Sequence, residues 1–150
     1  MISKKTKYAL NALMVLGQEY EKKEPLLISC LAERAKVPKK FLEQILLDLK
    51  NKGILESRRG KGGGYLLGKD PSEIKMGTIL RVFEGPLAPL PCLSFRMGFR
   101  KCDECEESES CAIRRLMKEW HDAQLMFFEN QTLRHMLDKR NEPIESTYTI

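Results

Sequence analysis

Residues 54 to 67 constrain this chain most. Ile54-Leu55-Glu56-Ser57-Arg58 has strand character and Tyr65-Leu66-Leu67 returns as a second strand. Between them, Arg59-Gly60-Lys61-Gly62-Gly63-Gly64 is a turn of glycines and cations. The segment is therefore expected to be a hairpin. Its glycines let the backbone come close to a phosphate or enter a narrow groove, and Arg58, Arg59 and Lys61 supply the charge that a minor groove attracts. A glycine-rich loop can also cradle a nucleotide. This one lies between two strands and lacks the Lys-Ser/Thr ending and following helix of a phosphate-binding loop, which argues against that use.

The residues before the hairpin have helical period. From about Ser3 to Tyr20, Tyr8, Ala9, Ala12, Leu13, Val15 and Leu16 recur on one face, with Ser3 an expected N-cap. A short second helix over Ser29 to Ala35 ends at Lys36-Val37-Pro38, and a third is expected from about Pro38 to Lys52, with Gly53 as its C-cap. In that third helix Phe41, Leu42, Ile45, Leu46 and Leu49 form the expected buried stripe. Lys39, Lys40, Glu43, Gln44, Asp48 and Lys50 are left outside. Two short helices joined by a tight turn, with polar groups near the start of the second and a hairpin attached to its end, describe a winged helix-turn-helix. Its second member would read the major groove.

Beyond the hairpin, Pro71-Ser72-Glu73-Ile74 opens an expected fourth helix carrying Ile74, Ile79, Leu80, Val82 and Phe83, stopped by Gly85-Pro86. From about Ala112 to Glu129, Ile113, Leu116, Met117, Trp120, Ala123 and Phe127 repeat every three or four residues. The resulting helix, about 27 Å long, is too long for a small domain to cover and reads as a dimerisation helix. Thr132 is expected to cap a short last helix ending near Leu137, with a disordered tail after it. The fold class is thus mainly α with a small β-hairpin wing. The expected layout is a DNA-binding domain over residues 1–85, a cysteine-rich loop over 86–111, the dimerisation and last helices over 112–138 and a tail over 139–150.

Charge follows the same division. Residues 1–85 hold 17 Lys and Arg against 10 Asp and Glu, whereas residues 86–150 hold 9 against 11. A basic first half joined to a slightly acidic remainder fits a nucleic-acid-facing module attached to something that does not touch phosphate. No apolar run is long enough to span a bilayer, and a soluble, cytoplasmic protein with no membrane partner is expected. In a reducing compartment the four cysteines in the pattern Cys92-x9-Cys102-x2-Cys105-x5-Cys111 point to metal or redox chemistry rather than structural disulfides. Cys30, among apolar residues of the second helix, is expected to be a small core residue, and His121 and His135 to be surface or packing residues.

Three strings carry a family resemblance: Lys7-Tyr8-Ala9-Leu10, Phe41-Leu42-Glu43-Gln44-Ile45-Leu46 and Arg58-Arg59-Gly60-Lys61-Gly62-Gly63-Gly64-Tyr65-Leu66-Leu67. Over roughly residues 1 to 137 the chain resembles the Rrf-type winged-helix transcriptional regulators of the IscR, NsrR and CymR kind, in their iron–sulfur-binding branch. The resemblance implies a homodimer crossed through its long carboxy-terminal helices and bound to a partly palindromic double-stranded operator. It also implies that Glu43 accepts from a cytosine amino group and that Arg59 inserts into the minor groove. Cys92, Cys105 and Cys111 match the three cluster cysteines of that family. The first interval is longer than usual, and Arg114 and Lys7 stand where a fourth ligand, a histidine or an acidic residue, would be.

Counting cysteines supplies the replacement. Cys102 is the obvious fourth thiolate, and four thiolates on one loop can wrap a 2Fe–2S or 4Fe–4S cluster. Tetrahedral zinc would accept the same sulfurs, and a metal-free thiol switch is the third possibility. The acidic residues Asp103, Glu104, Glu106, Glu107 and Glu109 should raise thiol pKa values when metal is absent, which argues against a free reactive pair. The expected function is that of a homodimeric, sequence-specific regulator, a repressor, whose operator affinity is controlled by the cluster. No catalytic residue is proposed. The rival from another class, a thiol oxidoreductase using Cys102 and Cys105, lacks a preceding βαβ context.

Overall fold

A computed structural model of the chain describes residues 2–94, 98–103 and 109–144. Six α-helices and one antiparallel hairpin follow in the order α1 (Lys4–Gln18), α2 (Ile28–Ala35), α3 (Lys39–Asn51), β1 (Leu55–Arg58), β2 (Gly64–Leu67), α4 (Met76–Glu84), α5 (Ala112–Asn130) and α6 (Leu133–Lys139). Ser3 caps α1 as expected, its hydroxyl accepting from the Thr6 amide at 3.2 Å. Glu84, at the end of α4, accepts from the Ser3 amide at 2.7 Å and from the Thr6 hydroxyl, so the entrance of α1 is tied to α4. A hydrogen bond from Thr6 is the main reason the Glu84 carboxyl sits below its ordinary pKa.

The core forms where the inner faces of the first four helices meet. Leu13, Leu31, Leu42, Ile45, Leu46, Leu49 and Ile79 are fully buried, with Ile54, Leu55 and Leu67 of the hairpin completing the same cluster. Strand β1 pairs with β2 from Leu55 opposite Leu67 to Arg58 opposite Gly64. The hairpin also has a third partner that the sequence pattern does not reveal. Leu26, just before α2, exchanges two backbone hydrogen bonds with Tyr65 at 2.8 and 2.9 Å, anchoring the wing to the helix-turn-helix. Between α2 and α3 the turn closes through Lys36, a C-cap held at φ 54°.

Three expectations need correction. Phe41 is not part of the buried stripe of α3. It is 52 % exposed, because its side chain faces Tyr8 at the start of α1 while the neighbouring Leu42 takes the core position. The fourth helix begins at Met76 rather than Pro71. Residues 71–75 form a turn in which Asp70 accepts from the Ser72 amide and hydroxyl, and Ile74 enters the core from that turn rather than from a helix. Cys30 is only partly buried, since α2 is short and turns just Leu31 and Ala35 fully inward.

Helix α5 departs from this body. It is 19 residues long, about 28 Å, and none of its residues is buried. Its end is nevertheless fixed. Glu129 accepts from Arg81 at 2.5 Å and from Lys75 at 3.4 Å, and the Met76 amide donates to the Gln131 carbonyl at 2.8 Å. The chain then turns through Thr132, which shares a capping box with His135, and α6 returns to α1, burying Leu133 completely.

Candidate nucleic-acid interface

Lys39, Lys40, Glu43 and Gln44 all project from the first turns of α3 and are exposed. They do not stand alone. The start of α1 lies beside them, so that Lys4, Lys5, Tyr8, Lys40, Phe41 and Gln44 line one open recess of about 310 Å³. Asp48, one turn further along α3, accepts from Lys5 at 2.8 Å and from the Gln44 amide nitrogen at 2.8 Å. Chiefly through the Lys5 hydrogen bond, the Asp48 carboxyl is held below its ordinary pKa. It stays ionised and fixes the Gln44 amide in one orientation, leaving one N–H and the carbonyl oxygen of that side chain for another partner.

The wing presents a second cationic group. Arg58, Arg59 and Lys61 are exposed, and among the described residues none of them forms an ion pair. Their glycines serve the turn itself. A Cβ on Gly63 would stand 2.4 Å from the Arg58 carbonyl, and one on Gly64, at φ 147°, would stand 2.2 Å from the Leu26 carbonyl. At these two positions the absent side chain makes room for the protein's own backbone. The glycine run therefore holds the three cations at the tip of a tightly anchored hairpin.

The described cysteines of the loop, Cys92, Cys102 and Cys111, follow α4 in the chain. Cys92, 5 % exposed, sits in a single 3-10 turn, Pro91–Leu93, and Cys102 is partly exposed. Cys111 is the N-cap of α5, its Sγ accepting from the Arg114 amide at 3.4 Å. Cys105 lies outside the described residues, as do Glu104, Glu106 and Glu107. Among the described residues, no three His, Cys, Asp or Glu side chains are grouped closely enough to hold a metal ion. The thiol chemistry suits iron–sulfur or zinc, and Cys111 places one sulfur at the entrance of α5. Cys92 and Cys102 are free of disulfides. His121 and His135 belong to α5 and α6, where His135 closes the capping box with Thr132.

A helix-turn-helix joined to an anchored wing, with exposed cations at both tips, defines a winged-helix DNA-binding regulator. The family model of Rrf2, an iron-dependent transcriptional regulator, matches residues 2–139, and the chain belongs to that family. It is 42% identical over 143 residues to an rrf2-like HTH-type transcriptional regulator of Rhodobacter capsulatus, an alignment covering 94% of this chain and 95% of that protein. Among solved structures, that of CymR, the global cysteine regulator of Bacillus subtilis, is similar with a TM-score of 0.71 at 28% identity, covering 92% of this chain and 96% of that one. The T. potens IscR structure gives a TM-score of 0.71 at 25% identity, covering 97% and 93%. These relatives are transcriptional regulators by name, which supports DNA binding and a non-enzymatic role. Among the described residues, no helix is long and apolar enough to cross a membrane.

Proposed function

We propose that the chain acts as a homodimeric transcriptional repressor whose operator affinity is set by an iron–sulfur cluster held by Cys92, Cys102, Cys105 and Cys111. The observation that carries this reading is the placement of Cys111 as the N-cap of α5. A ligand at that position can determine whether the first turn of the longest helix is ordered. From there the chain supplies a continuous path. Glu129, near the end of α5, is bonded to Lys75 and Arg81 at the two ends of α4, and Glu84 of α4 holds the start of α1 beside the recognition helix. When bound, the cluster would supply an inorganic centre that reacts with oxidants or nitric oxide or responds to iron supply.

Dimerisation is supported by the outer face of α5. Ile113, Leu116, Trp120 and Phe127 recur at intervals of three, four and seven residues and are each more than half exposed. Such a stripe fits a second copy of the same helix, and two copies would present two recognition helices and two wings to a partly palindromic operator. On the DNA face, Glu43 and Gln44 would read base edges, Arg59 would enter the minor groove, and Lys39, Lys40, Arg58 and Lys61 would hold phosphates.

Anaerobic purification followed by iron, sulfide and zinc analysis of the wild type and Cys102→Ser tests the ligand set. Coloured wild-type protein containing iron and sulfide, with loss of both in the variant, is expected. Stripping the cluster should change operator affinity roughly 5- to 150-fold, in line with a coupling of about 1 to 3 kcal/mol. Equal affinity in loaded and stripped protein would overturn the sensor. The likeness to a cysteine regulator favours a second reading, in which zinc or a bare thiol switch replaces the cluster. Colourless protein carrying zinc or no metal would select it.

A further inference from the structure

We infer that Phe41 is a base-reading residue which, together with Tyr8, forms an apolar seat for the C5 methyl group of a thymine. This rests on the reading of α3 as the helix that enters the major groove. Phe41 is a large aromatic residue left 52 % exposed in the first turn of that helix, three residues before Gln44 and two before Glu43. Its ring is held in place. The Tyr8 ring lies at 6.2 Å with a 46° tilt, and Lys40 Nζ stands 5.7 Å from the Phe41 centroid. Lys4 Nζ is likewise 5.7 Å from the Tyr8 centroid, so the aromatic pair is flanked by cations on both sides.

The occupant of such a recess has to be apolar at its centre and anionic around its edge. A protein or lipid surface offering only hydrocarbon would leave Lys4, Lys5 and Lys40 facing apolar groups. The major groove of a duplex meets both requirements, with phosphates along its rims. Thymine is the one base whose groove edge carries a methyl group. Gln44 lines the same recess of about 310 Å³, with its amide oriented by Asp48. Glutamine pairs with the N6 and N7 atoms of adenine, so one helix face would carry a polar and an apolar mark for A·T pairs.

The test uses the full-length protein and an operator recovered by selection from random-sequence DNA, in which each thymine is replaced in turn by deoxyuridine. That exchange removes one methyl group and leaves base pairing unchanged. At one or more thymines the wild-type affinity should fall about fourfold, the equivalent of about 0.8 kcal/mol for one buried methyl-sized group. Phe41→Ala should bind the thymine and uracil forms of that position equally, with the salt dependence of binding unchanged because no phosphate contact is lost. If the wild type is indifferent to every replacement, or if Phe41→Ala still discriminates, the inference fails while the DNA-binding reading stands. If selection enriches no sequence, sequence-specific reading fails and the role of Phe41 with it.

Discussion

Single residues in the wing make opposite demands on substitution. Arg59 is exposed and, among the described residues, forms no ion pair, so Arg59→Ala should leave thermal stability unchanged. Operator affinity should fall by about 1 to 3 kcal/mol, with relaxed preference at one minor-groove position, as measured by fluorescence anisotropy on an operator series. Gly64→Ala should do the reverse. At φ 147° and with the Leu26 carbonyl 2.2 Å from the new Cβ, the change should cost about 1 to 3 kcal/mol in backbone conformation alone. It should also break the Leu26–Tyr65 bridge. Hydrogen exchange at the Leu26 and Tyr65 amides would report this, and unchanged protection would show that the wing does not depend on that anchor.

At the level of elements, α4 is joined by side-chain hydrogen bonds to both α1 and α5. It receives the start of α1 through Glu84 and the end of α5 through Glu129. Both carboxyls lie below their ordinary pKa, mainly because Thr6 donates a hydrogen bond to Glu84 and Arg81 donates one to Glu129. A depressed carboxyl stabilises fully above its unfolded pKa, and that contribution is lost as pH falls through the lowered folded value. Acidification through that range should therefore loosen α5 from α4. Glu129→Gln should show faster proteolysis of the 85–111 connection already at neutral pH, and its digestion rate should be less sensitive to acid than that of the wild type. Leu133→Ala, which empties the seat of α6 against α1, should cost about 2 to 5 kcal/mol by denaturant unfolding. These connections explain what was legible in the sequence. The helices, the hairpin and the recognition motifs follow from local period and turn chemistry, so α1, α3 and the wing appear within a few residues of where the pattern places them. Phe41 differs from the expected stripe because an i, i+4 pattern cannot tell a residue at the edge of a buried face from one at its centre, and the next residue, Leu42, takes the core position. The Leu26 anchor and the Asp48 bracket on Lys5 and Gln44 join residues far apart in the chain or chemically ordinary in it, and leave no periodic trace.

For the molecule as a whole, the winged-helix body closes its own core while α5 leaves a face uncovered. Leu116, 60 % exposed, lies on that face, and so does Phe127, 58 % exposed, whose ring meets Phe128 edge-on at 5.4 Å. Leu116→Glu combined with Phe127→Glu should accordingly yield a folded monomer by sedimentation velocity, with native circular dichroism and strongly weakened operator binding. A variant that remains dimeric would place the subunit contact elsewhere. Trp120 is the only tryptophan in the chain and stands 52 % exposed on the same stripe. The indole is thereby a built-in optical gauge. If two copies pair through this stripe, emission should move to longer wavelength on dilution, so the strength of self-association can be followed without attaching a dye.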